Sequence, residues 1–123
     1  MSTPLITPEL VATGLDVMDR VEATSHLVDL MYAAGRVTDA AAFLDDVQKR
    51  EAQMATGRPG GVGLPHARSE HVTAPSLAVA QIPGGVDFGA PDGPATLVFL
   101  IAAPTTGDAD HLKILAALAR KLV

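Results

Sequence analysis

Cysteine and tryptophan are absent from the 123-residue chain, and tyrosine occurs once. Without cysteine, the chain can form no disulfide, offers no thiolate nucleophile and cannot hold a cysteine-ligated zinc ion. Aromatic residues make up 3% of the sequence, so few side chains could stack on bases or sugar rings. These absences exclude several classes of redox, zinc and nucleic-acid-binding protein.

Positive charge and long apolar runs are also scarce. Nine Lys and Arg face fourteen Asp and Glu, giving a formal net charge of −5, whereas nucleic-acid binding needs a basic surface. The longest apolar run, 97–103, is far shorter than the roughly 20 residues of a membrane helix, and residues 1–9 lack the blocks of a signal peptide. We therefore expect no nucleic-acid partner, no direct insertion into a membrane and a cytoplasmic location.

Helical periodicity is clear in three segments. The first runs from Asp19 to Ala34, where Asp19 followed by Glu22 is typical of a capping box and Gly35 suits the end of a helix. The second has Thr38 or Asp39 as its N-cap and runs to about Gln53. The third covers 109–122. These patterns predict three helices in one globular domain.

Strand patterns lie between and beside these helices. A short strand is expected near 10–13, a second over 77–82 before Pro83, and a buried central strand over 96–102. The last is continuously apolar after its first residue, which indicates burial on both faces. Alternating helices and strands predict an α/β fold in which helices cover a sheet.

A glycine-rich stretch from Gly57 to His66 separates the second helix from the strands. Its ten residues include four glycines and two prolines but no acidic residue. The stretch does not match the Gly-Lys-Ser/Thr ending of a P-loop or the Gly-x-Gly-x-x-Gly pattern of dinucleotide-binding folds. It either holds His66 exposed as a nucleophile or forms a plain surface turn that ends in a histidine.

Two further residues are expected near His66. Arg50 falls on the buried stripe of the second helix, close to its C-terminal end, and His111 opens the third helix just after the central strand. An arginine, a neutral histidine at a helix N-terminus and backbone N–H groups suit an anion such as phosphate. A metal site that joins His66 to His71 or His111 is the weaker alternative, because no carboxylate stands at a recognisable ligand spacing.

Several blocks of this sequence resemble, in order, the fructose/mannitol-type EIIA domain (EIIA type 2) of the bacterial phosphoenolpyruvate-dependent sugar phosphotransferase system. The blocks are Arg50–Glu51, Ala55–Gly57, Gly61–His66, Gly85–Ala90, Leu97–Pro104 and His111–Leu115. The resemblance extends from about Leu5 to Val123. It implies a mixed β-sheet with helices on both faces.

The resemblance also implies a function. In this family the histidine that matches His66 takes a phosphoryl group on Nε2 from the phosphocarrier HPr and passes it to a cysteine of a cognate EIIB domain. EIIB then phosphorylates the sugar that EIIC transports, and EIIC can lie on the same polypeptide. Arg50, His111 and Thr56 are the residues expected to bind and stabilise the phosphoryl group, with neither a cofactor nor a metal. We further expect a nearby carbonyl or side chain to hold Nδ1 of His66.

The sequence predicts the transported sugar and the biological role of the domain less directly than it predicts the family. The blocks 85–90 and 97–104 look fructose-type, so fructose is the expected sugar. A regulatory EIIA relative of the nitrogen type is the main alternative, and a non-catalytic anion-binding module is a third. Residues 1–123 are expected to form one EIIA type-2 domain that lacks its C-terminal end, because the last helical pattern stops without a C-cap.

Overall fold

The computed structural model describes residues 6–53, 57–58, 60–90 and 93–105, which contain two α-helices, six β-strands and one 3₁₀ turn. The elements follow in the order 3₁₀ turn Pro8–Leu10, β1 Val11–Ala12, α1 Arg20–Ala33, α2 Ala40–Gln53, β2 Gly57–Arg58, β3 Val62–Gly63, β4 His66–Ser69, β5 Ser76–Val86 and β6 Ala95–Pro104. No helix in these ranges combines the length and the apolar content needed to cross a membrane.

All six strands join one mixed sheet. Its order is β1-β5-β6-β3-β2, with β4 also paired to β6. β5 and β6 are antiparallel and form the longest pairing, whereas β3 and β4 run parallel to β6. β6 therefore lies in the middle with partners along both edges, and the predicted mixed α/β sheet is confirmed.

Both described helices begin at the predicted caps. The backbone N–H of Glu22 donates to Asp19 Oδ1 over 2.8 Å, and that of Ala42 donates to Asp39 Oδ1 over 3.0 Å. These bonds satisfy N–H groups that have no partner within the helix. After α1, Gly35 has φ of 76°, the left-handed conformation expected past a helix end. Asp39, rather than Thr38, caps α2.

The two helices pack on one face of the sheet. Their buried side chains join those of β5 and β6 in one core, which includes Leu27, Met31, Phe43, Val47, Ala78, Val98, Leu100 and Ala102. On the other face a second cluster contains Val62, Leu64, Leu77, Phe99 and Ile101, each at most 2% exposed. β6 is thus buried on both faces, as predicted. The helix predicted over 109–122 lies outside the described residues.

Two strand boundaries differ from the prediction. β5 continues past Ile82 through Pro83 to Val86, and the pairing with β6 shifts in register between Gln81 and Val86. The shift releases this part of the strand from regular pairing, so a proline that cannot donate a hydrogen bond is tolerated there. β6 is also longer than the predicted 96–102 and includes Pro104 as its last residue.

The second half of the glycine-rich stretch is also extended, where the sequence indicated a loop. Val62 faces Leu97 and Ser69 faces Pro104, and all pairs between them keep one register. Segment 62–69 is therefore a single extended run along β6. Pro65 interrupts its ladder because proline has no N–H, although the Pro65 carbonyl still accepts a 3.0 Å hydrogen bond from the N–H of Ile101.

Candidate functional site

His66 opens β4 and lines a cleft of about 350 Å³ between that strand and the C-terminal half of α2. The charged and polar residues that line this His66 cleft are Asp46, Lys49, Arg50, Gln53, His66 and Arg68. Three cations and one carboxylate give the cleft a local positive charge, in a chain whose net charge is −5. Such a cleft favours an anion.

The backbone of segment 62–69 orients the imidazole of His66. The carbonyl groups of successive strand residues point in opposite directions, so the Leu64 carbonyl points away from β6 because the Pro65 carbonyl points toward it. The Leu64 oxygen lies 2.7 Å from Nδ1 of His66. Because a carbonyl oxygen can only accept, Nδ1 carries the proton, and Nε2 of the neutral ring has the lone pair. The predicted contact of Nδ1 with a nearby carbonyl is confirmed.

Two glycines allow the chain to reach this position. Gly61 has φ of 78°, a left-handed conformation that side chains rarely adopt, and it makes the turn from β2 into β3. At Gly63, a Cβ atom would lie 2.8 Å from the ring of Phe88, so the strand can approach that ring only without a side chain. The glycines thus serve a turn and a close packing contact that precede His66.

Arg50 reaches the same cleft from α2. It lies in the last turn of the helix and is half-buried, on the stripe shared with buried Phe43 and Val47. The structure therefore brings together Arg50 and His66, two of the four residues predicted for the site. The other two, Thr56 and His111, lie outside the described residues.

Arg68 and Lys49 also line the cleft, although neither was among the residues predicted for the site. Arg68 lies two residues after His66 on β4, and its Nη2 donates to the carbonyl oxygen of Thr105 over 3.1 Å. Lys49 lies beside Arg50 on α2 and pairs with Asp45 over 3.0 Å, and this hydrogen bond raises the pKa of Lys49. The two-residue period of a strand would have identified Arg68 had β4 been predicted as a strand.

A partly buried hydrogen bond links α2 to β4 next to the cleft, which Asp46 lines. The Ser69 hydroxyl donates to Asp46 Oδ2 over 2.7 Å and accepts from the backbone N–H of His71 over 3.1 Å. Ser69 is only 3% exposed. Among the described parts of the chain, no three His, Asp or Glu side chains lie close enough together to hold a metal ion.

Comparison with known proteins identifies the class of this fold and site. Residues 4–123 match the profile of the family described as phosphoenolpyruvate-dependent sugar phosphotransferase system, EIIA 2. The chain belongs to this EIIA type-2 family, as its sequence blocks predicted.

Individual relatives agree with this assignment. A fructose-specific EIIA component from Haloferax volcanii is 42% identical over 120 residues, covering 96% of this chain and 78% of that protein. A fructose-specific EIIABC component from Bacillus subtilis is 31% identical over 122 residues, but this chain spans 19% of its length. The solved nitrogen regulatory protein IIA-Ntr from Neisseria meningitidis superposes with a TM-score of 0.85 at 25% identity, covering 96% of this chain and 81% of that one.

Proposed function

We propose that this chain is a phosphohistidine carrier of the sugar phosphotransferase system. His66 accepts a phosphoryl group from HPr and passes it to a cysteine of a cognate EIIB, for the uptake and phosphorylation of fructose. The observation that carries the proposal is the 2.7 Å contact between Nδ1 of His66 and the Leu64 carbonyl, in a cleft that also contains Arg50. This contact directs the Nε2 lone pair to the reaction.

The transfer step follows from that tautomer. The Nε2 lone pair attacks phosphorus, the N–P bond of the donor histidine breaks, and the donor nitrogen recovers its electron pair. The Nδ1 proton of His66 stays in place, so the attack requires no general base. The Leu64 carbonyl stabilises the positive charge that the ring gains when Nε2 is phosphorylated. In the second step the EIIB thiolate attacks phosphorus, and Nε2 is the leaving group.

Arg50 supplies the charge that this chemistry needs. Phosphoryl transfer depends mainly on positioning and on stabilising charge on the phosphoryl oxygens, and a guanidinium binds two such oxygens at once. Arg50 lines the cleft from α2, while His66 lines it from β4. His111 and Thr56 complete the proposed phosphoryl-binding set on the strength of the family resemblance.

The partners follow from the same proposal. HPr is the donor and EIIB is the acceptor. The B. subtilis relative named an EIIABC component supports EIIB and EIIC on the same polypeptide, whereas the H. volcanii relative named an EIIA component supports separate polypeptides. The fructose-specific names of the two relatives support fructose. The domain then acts in the cytoplasm, where HPr would reach it.

The carrier role can be tested by reconstitution. The chain is incubated with phosphoenolpyruvate, Enzyme I and HPr, and intact mass is measured for one acid-labile phosphoryl group. His66→Ala should remove the label, whereas His26→Ala, which changes an exposed histidine of α1, should keep it. Labelling of His66→Ala at the normal rate would contradict the proposal. Reversible phosphate binding without covalent label would instead indicate an anion-binding module.

A regulatory role is the second candidate, because the nitrogen regulatory protein from N. meningitidis shares the fold with a TM-score of 0.85. Such a protein would also be phosphorylated on His66, so labelling does not separate the two roles. Onward transfer to EIIB separates the two roles. A transport component should pass its phosphoryl group rapidly to the cysteine of a fructose EIIB, whereas a regulator should retain it.

A further inference from the structure

The hydrogen bond between Ser69 and Asp46 adjoins the cleft of the two residues proposed for phosphoryl transfer, because Asp46 also lines that cleft. Asp46 precedes Arg50 by four residues on α2, so the two side chains lie on one face of the helix, and both line the cleft. Ser69 follows His66 by three residues on β4. The Ser69–Asp46 bond therefore joins the helix that carries the arginine to the strand that carries the histidine.

The direction of this bond is fixed. The His71 N–H donates to Ser69 Oγ, so the hydroxyl proton of Ser69 points to Asp46 Oδ2 and not to another acceptor. The bond is 2.7 Å long and the serine is buried, conditions in which a charge-assisted hydrogen bond is strong. Ser69 thus holds the carboxylate of Asp46 against β4.

We infer that Ser69 is a positioning residue for phosphoryl transfer, an inference that depends on the carrier role proposed above. By binding the Asp46 carboxylate, Ser69 prevents Asp46 from pairing with Arg50. An aspartate and an arginine four residues apart on a helix form an ion pair readily. In that pair the carboxylate would occupy the guanidinium that otherwise binds the phosphoryl oxygens.

The first experiment measures transfer from phosphorylated HPr to the Ser69→Ala variant. We expect kcat to fall about tenfold, the size of effect typical of losing a hydrogen bond to a charged group, while KM stays within about twofold. Ser76→Ala is the matched control. Ser76 is also a fully buried serine whose hydroxyl makes two hydrogen bonds, with Arg36 and the Ala74 carbonyl, but it does not line the cleft.

Two combined variants separate positioning from general loosening of the fold. Adding Asp46→Asn to Ser69→Ala removes the competing carboxylate, so transfer should return to within about twofold of the unmodified protein. In an Arg50→Ala background, Ser69→Ala should have no further effect, because Ser69 acts through Arg50. If Ser69→Ala does not fold, Ser69→Cys replaces it, because cysteine fills the same space with a weaker donor. Ser69→Cys is then combined with Asp46→Asn and with Arg50→Ala in the same way.

Each result of these experiments either supports the positioning role of Ser69 or overturns it. Rescue by Asp46→Asn and a non-additive cycle with Arg50→Ala support the inference. It is overturned if the effects of Ser69→Ala and Arg50→Ala multiply, if Asp46→Asn gives no rescue, or if Ser76→Ala slows transfer equally. Absence of any label on the unmodified protein would instead overturn the carrier role itself.

Discussion

Two clefts of opposite charge, each lined by a histidine, lie on different parts of this molecule. The His66 cleft, of about 350 Å³, contains Lys49, Arg50 and Arg68 against one carboxylate. The other, of about 680 Å³, lies on α1 and the segment before it. This α1 cleft is lined by His26 and by the carboxylates of Asp16, Asp19, Glu22 and Asp29.

Volume does not single out the cleft proposed for phosphoryl transfer, which is the smaller of the two. A phosphoryl group carries negative charge, which the four carboxylates of the larger cleft would repel and the three cations of the smaller one attract. The two histidines differ as well. Nδ1 of His66 is held by a strand carbonyl, whereas His26 is an exposed residue on the polar face of a helix. Local charge and a fixed tautomer, rather than space, distinguish the cleft proposed for phosphoryl transfer.

Of the substitutions in the two clefts, the removal of Arg50 should have the largest effect on the rate of phosphoryl transfer. Arg50→Ala should slow transfer from phosphorylated HPr by about 100-fold, as is typical when a group that stabilises transition-state charge is lost. The fold should stay intact, because Arg50 is half-buried at a helix end. Transfer kinetics and thermal melting check this together. A loss of stability comparable to a core deletion would show that Arg50 is structural.

Arg68→Ala should have a smaller effect on the same step. Its guanidinium is exposed and already bound to the Thr105 carbonyl, so its charge acts through solvent, at roughly 1 kcal/mol or about fivefold in rate. The difference between the variant and the unmodified protein should shrink at high salt, which screens exposed charges. An effect that is insensitive to salt would indicate a direct contact with the phosphoryl group.

Asp19→Ala should change stability without changing transfer. Asp19 lines the α1 cleft and caps α1 through the Glu22 N–H, so its loss should destabilise the fold by about 1 kcal/mol. Asp39→Ala, at the equivalent cap of α2, should cost a similar amount in chemical denaturation. If Asp19→Ala slowed phosphoryl uptake more than about twofold, the α1 cleft would belong to the functional surface.

Reversing a charge in the α1 cleft should have the smallest effect. Asp29 is exposed on α1, and Asp29→Lys makes the cleft less acidic without touching the core. We expect phosphoryl uptake by His66 to change less than about twofold, measured by the same mass assay, since exposed charges act weakly beyond about 10 Å at ordinary salt. New labelling at His26 would mean that charge alone selects the reacting histidine.

Local signals predicted the features that depend on neighbouring residues. The caps at Asp19 and Asp39 and the apolar run of β6 follow from short-range chemistry, and they appear where the sequence placed them. Arg50 was found in the same way, from its place on the buried stripe of α2. The cleft it shares with His66 was predicted less directly, from the expected positions of α2 and of the stretch that ends at His66, and the resemblance to a family agrees with it.

Features that depend on distant pairing escaped the sequence. The stretch 57–66 is rich in glycine and proline, which favours a loop, but segment 62–69 is extended because it pairs with β6, which follows much later in the chain. Arg68 was missed for that reason. The Ser69–Asp46 bond joins residues 23 positions apart on different elements, and no local pattern predicts it.

The common register of β3 and β4 along β6 also limits how the length of segment 62–69 can vary. Its side chains and carbonyls alternate with a period of two, and His66 depends on a carbonyl that lies two residues before it. One residue added or removed between Gly63 and His66 would break the common register, so that either β3 or β4 would turn its side chains to the opposite face of the sheet unless a bulge absorbed the change. A change of two residues would preserve the alternation, so it should disturb the site less than a change of one residue.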